Sequence, residues 1–159
     1  MATETVTATN DVSTGAGDWK AGVAGGLAGS AVFGLLMTYV IPAPLLGVVI
    51  PSMYGLAPPA APFTGWVIHM SHGAVLGVGF AALVGLRPSI GESIGESLGA
   101  GAAYGLVVWV VLAVIAMPIW LSAVGSPANP PLPNISAMSA IGHLAYGAVL
   151  GGAYTGLAD

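Results

Sequence analysis

Three histidines, His69, His72 and His143, are the strongly polar titratable groups within the long uncharged stretches of this sequence. An imidazole can ligate a haem iron or another metal, move a proton near neutral pH, or hydrogen-bond across a helix interface. His69 and His143 are each followed four residues later by a glycine, Gly73 and Gly147. A b-type haem needs two neutral imidazoles facing each other from neighbouring helices, with little side chain one turn away so that the porphyrin can lie against backbone. On that reading His69 and His143 are the axial ligands, and Gly73 and Gly147 provide the clearance. No Lys or Arg lies nearby to hold propionates.

The second chemistry is a metal ion held by three nitrogens, from His69, His72 and His143, with Met70 or Met138 adding sulfur for copper. No carboxylate is available there to complete a zinc site. A proton or small-solute path is the third, extended by Tyr39, Tyr104 and Tyr146. Against all of these stands a plain structural use, in which the imidazoles bond to each other or to backbone between helices. The residues do not choose between haem b and a metal ion, so the cofactor stays open.

The elements that must position these side chains follow from composition. The chain has 159 residues, 56% hydrophobic and only 5% charged, with a mean hydropathy of +0.92. Soluble domains carry about a quarter charged residues. Two Lys+Arg cannot neutralise a row of phosphates, which excludes nucleic acid as a partner. The absence of cysteine excludes disulfides, thiolate metal sites and c-type haem attachment.

The charges are Glu4, Asp11, Asp18, Lys20, Arg87, Glu92, Glu96 and Asp159. Each uncharged gap between them is too long for one membrane span of about 20 residues and comfortable for two. Both gaps are interrupted by proline-rich sequence. The expectation is an all-α, integral membrane four-helix bundle, with spans near 21–41, 64–86, 97–121 and 135–157. The first span stops at Pro42, because proline removes a helix donor and clashes with the preceding turn. Lys20 and Arg87 flank the same face, which the positive-inside tendency places in the cytoplasm together with both termini and the 87–96 loop. Residues 1–20 read as a disordered acidic tail ahead of a retained signal-anchor, since no basic segment leads into an apolar one.

The two hairpins, 21–86 and 97–159, resemble each other. His69-Met70-Ser71-His72-Gly73-Ala74-Val75-Leu76-Gly77 aligns with His143-Leu144-Ala145-Tyr146-Gly147-Ala148-Val149-Leu150-Gly151. The shared pattern is H-x-x-[HY]-G-A-V-L-G. Upstream, Phe33-Gly34 matches Tyr104-Gly105 more weakly. Two-helix units repeat in the same orientation, so this predicts two parallel repeats with their histidines at similar depth. Glycines at four-residue spacing mark a nearly bare face on each helix, the small-xxx-small arrangement that lets backbones approach closely in lipid.

Between the first two spans, the apolar run Leu45-Leu46-Gly47-Val48-Val49-Ile50 is too short to span and too apolar to stand in water. It is expected to lie in the interface or re-enter, as a lid over the histidine end. Asn134-Ile135-Ser136 matches a glycosylation acceptor but abuts the fourth span, where access is poor. Phosphate-binding loops, nucleophile elbows and intramembrane carboxylate pairs are absent, so no enzymatic activity is expected.

The acidic tail, the glycine-rich helices and the repeated H-x-x-[HY]-G-A-V-L-G resemble small, uncharacterised four-helix membrane proteins of salt-loving archaea. That resemblance implies a multi-pass cell-membrane protein and brings no activity with it. Taken with the residues, the expected role is a membrane binding or assembly module. Its partners would be the lipid bilayer and either further copies of itself or the subunits of a membrane complex.

Overall fold

The computed structural model describes residues 17–41 and 44–158. Most of the expected N-terminal tail, with Glu4 and Asp11, lies outside the described residues, as do Pro42 and Asp159. Among the described residues the protein is helical, without strands. Four long helices carry it: α1 (Trp19–Tyr39), α2 (Pro62–Leu86), α3 (Ile94–Ala123) and α4 (Ala137–Leu157). The first three are long and apolar enough to cross a membrane, and α4 is not among them.

Each helix start has a local cause. Asp18 caps α1, its carboxylate accepting from the backbone N–H groups of Lys20 and Ala21 at 2.9 and 3.1 Å. The helix therefore begins before the expected 21 and ends at Tyr39. Pro62 occupies the first turn of α2, where its missing N–H would be unsatisfied anyway, so α2 starts two residues early. Ser93 accepts from Glu96 N–H at 3.2 Å, which draws Glu96 out of the expected loop and into the first turn of α3. Ser136 caps α4 in the same way, accepting from Ser139 N–H at 3.3 Å.

Helix α1 lies against α2 on one side and α4 on the other, and α4 lies against α3. The glycine faces decide how close these helices come. On α1, Gly22 sits on the carbonyl of Gly77 and Gly26 on that of Gly73. On α3, Gly101 sits on the carbonyl of Gly147 and Gly105 on that of His143. A β-carbon at any of these positions would collide with backbone. The α1–α4 contact is of the same kind, with Gly25 facing Leu150 and Gly29 facing Tyr146. By contrast, α2 and α3 meet mainly through Tyr104, whose hydroxyl donates to Leu76 O at 2.8 Å and whose ring packs on Phe80 at 5.6 Å.

Gly34 and Gly105, paired by the upstream sequence match, have different neighbours. Gly105 lies on the backbone carbonyl of His143. Gly34, the expected counterpart of Gly105, instead receives the ring of Trp66.

Between α1 and α2, a π-helical turn (Leu45–Val49) continues into Ile50–Ser52. Leu46 is buried, its carbonyl lies on Gly65, and Ala61 N–H donates to Gly47 O at 2.8 Å. This apolar run thus packs on the start of α2. Its far end is tied to α3, with the Trp120 indole donating to Met53 O at 2.8 Å and Ser126 Oγ to Ser52 Oγ at 2.9 Å.

Candidate functional site

His69 and His143 stand seven and six residues into α2 and α4, about 10 Å from each helix start. One side chain from α1, Phe33, touches both. Its ring centroid is 5.5 Å from that of His69 and 4.8 Å from that of His143, edge-on in both cases. Phe33 is buried, and its ring fills the space that a β-carbon on Gly142 would need. The imidazoles are therefore gathered about a phenyl ring.

Each ring has one nitrogen fixed by backbone. His69 Nε2–H donates to Ser30 O of α1 at 3.0 Å, and His143 Nδ1–H donates to Ser139 O one turn earlier in α4 at 2.8 Å. Because a carbonyl only accepts, these contacts set the tautomer of both rings whenever they are neutral. The Trp66 ring lies on the outer side of His69, 6.4 Å between centroids.

The haem assignment does not fit this arrangement. Gly73 is the glycine meant to leave room for a porphyrin, and Ser30 of α1 fills that room. Gly147 is closed by the backbone of α3 at Gly101 and Gly105. His69 Nε2, the nitrogen usually aimed at iron, is held by a carbonyl. The physical reason is that a glycine stripe admits a neighbouring helix as readily as a flat ligand, and here the neighbour is present on both helices.

The three-histidine metal set is not assembled either. His72 turns away from His69 toward the connecting segment, and its Nε2 bonds the Tyr54 hydroxyl at 2.6 Å. Among the described residues no three His, Asp or Glu side chains come together where they could hold a metal ion. His69 faces α1 while His72 faces residue 54, and residues three apart on a helix have different neighbours once two elements pack on that helix.

The tyrosines expected to extend a proton path divide. Tyr39 is 81% exposed at the end of α1. Tyr146 is buried, and its hydroxyl donates to Gly73 O of α2 at 3.0 Å, tying α4 to α2 past Gly29. Both Tyr146 and Tyr104 thus donate to α2 carbonyls. Since Gly73 O also sits within a helical ladder, Tyr146→Phe should cost only about 0.6 kcal/mol, typical of an interhelical bond in a membrane protein. Reversible unfolding in mixed micelles will measure it, and a loss several times larger would mean the hydroxyl does more than tie two helices.

Sequence reasoning missed Phe33, Ser30 and the linking role of Tyr146. Phe33 was visible as a bulky residue beside glycine, but nothing in the sequence placed it against both histidines. Ser30 is fully buried with no partner for its Oγ, which rests on Gly73.

No family model, curated protein or solved structure matches this chain.

Proposed function

We propose that this is a multi-pass membrane assembly module of two parallel two-helix repeats, which binds partner subunits or copies of itself and performs no catalysis of its own. On this reading α4 is a fourth span. Its Ser139, His143, Tyr146, Tyr154 and Thr155 lower its hydropathy, and it packs between α1 and α3. Both termini and the turn bearing Arg87 lie on the cytoplasmic side, following Lys20 and Arg87.

The observation that carries the reading is the way the interior is closed. Both imidazole N–H groups and the Tyr104 and Tyr146 hydroxyls engage backbone carbonyls, and the glycine faces close on backbone. Such an interior holds a shape, while the outer faces remain apolar. On α3, Val107, Val111 and Ile115 are 59%, 50% and 46% exposed.

Two measurements test this. Single cysteines at Val107 and Val111 should cross-link in native membranes, to a second copy or to a partner; a monomer at every protein-to-lipid ratio would refute assembly. Purified protein should be colourless and metal-free, and a Soret band abolished by His69→Ala would overturn the reading in favour of a cytochrome. For topology, cysteines at Ser89 and Ser126 should label from opposite sides of the membrane, and labelling from one side would remove the four-span arrangement.

A further inference from the structure

Helix α3 changes its winding along its length. It is α-helical over Ile94–Val108, π-helical over Trp109–Ala116 and α-helical again over Met117–Ala123. Met117 N–H donates five residues back, to Leu112 O. The next residue, Pro118, has no N–H to give. In π winding it would have served Ala113 O, and in α winding Val114 O. Both residues are buried, where an unpaired carbonyl is costly.

One residue from outside the helix satisfies both. Asn134, just before α4, donates its backbone N–H to Val114 O at 3.0 Å and its side-chain amide to Ala113 O at 3.3 Å. It supplies the donors that proline cannot, in the way that broken membrane helices recover their freed backbone groups from neighbours. At the other end of the π stretch, the Trp109 indole N–H is buried without an acceptor, so the stretch is incompletely satisfied in this conformation. The segment beyond, Met117–Ala123, is held on the first connection through Trp120, and Ser126 just past its end bonds there too, whereas Gly101 and Gly105 seat the inner segment on α4.

We propose that α3 is a jointed helix, with the π stretch and Pro118 as the joint and Asn134 as its latch. When Asn134 is seated, the two α-helical segments are fixed relative to each other. When it leaves, the outer segment pivots together with the proline-rich connection. Prolines and π turns are the recognised causes of sharp helix bends. The same contacts explain why the acceptor pattern at Asn134 is not a modification site: the amide is donated to Ala113, and Ser136 is the cap of α4.

The test uses the full chain in lipid nanodiscs. Since it has no cysteine, spin labels can be placed through cysteines at Gly99 and Ser122, either side of the joint, with a control pair at Ala24 and Leu35 on α1. The native sequence should give one narrow Gly99–Ser122 distance. Asn134→Ala should give a broader distribution or a second distance, with the α1 pair unchanged. Adding Pro118→Ala restores an N–H at the joint and should narrow the distribution again. Asn134→Asp, which like the alanine variant keeps the backbone donor to Val114 O and loses the amide bond to Ala113 O, serves if the alanine variant does not fold, and should also widen it. An unchanged distance with Asn134→Ala, or a widening that Pro118→Ala fails to suppress, overturns the proposal.

Discussion

Gly147→Leu should lower the unfolding midpoint far more than a leucine placed at an open glycine. A β-carbon there would sit 2.8 Å from the Gly101 carbonyl carbon and 2.9 Å from Gly105 N, closer than real side chains approach backbone. No side-chain rotation relieves a clash with the main chain, so α3 must move off α4, taking Gly101 and Gly105 out of contact. Overpacking a tight site costs about 1–3 kcal/mol, and with backbone as the obstacle the cost belongs at or above the upper end. Total stabilities are only about 5–15 kcal/mol. Gly99→Leu, on the facing helix α3, is the control: nothing lies within 4 Å of its β-carbon position, so its effect should stay within about 1 kcal/mol and can be favourable through helix propensity. The midpoints of unfolding in increasing SDS fraction decide the matter. Equal midpoints for the two variants would show that the glycine contacts do not hold these helices together.

The second large effect is expected at Phe33. Its ring is the shared neighbour of His69, His143 and Gly142, and it is buried. Phe33→Ala deletes that ring from a place bounded by three different helices, which cannot all collapse onto the void. Phe→Ala in a packed interior costs about 3–5 kcal/mol. Within lipid the loss is of van der Waals contact rather than of hydrophobic transfer, so about 3 kcal/mol is the sensible expectation. Phe63→Ala, at a residue 81% exposed, should change stability by about 0.5 kcal/mol or less. If the two variants unfold alike, Phe33 is not the centre of the histidine region.

Much of the architecture was legible because a long apolar run between charges and prolines has few ways other than a helix to satisfy its backbone. Spaces between charges and prolines marked the helices within two or three residues, and caps such as Asp18 and Ser93 moved the starts outward. The site was less legible. Four-residue spacing placed His69 and Gly73 on one face, and that face does meet α1; spacing alone could not say whether a ligand or Ser30 fills the room beside Gly73. It equally left His72 beside His69, because the segment that draws His72 away reaches it through Tyr54, eighteen residues earlier. Asn134 was read as an acceptor motif, since its real partners, Ala113 and Val114, lie a helix away in sequence.

Composition and periodicity determined that this chain forms apolar helices with bare glycine faces, because those properties depend on neighbours along the chain. Which faces meet, the different neighbours of Gly34 and Gly105, the ring standing against both imidazoles and the donor that replaces the one missing at Pro118 were decided only in three dimensions. Each depends on atoms from separate helices competing for the same volume or the same carbonyl, and a linear pattern carries no record of who wins.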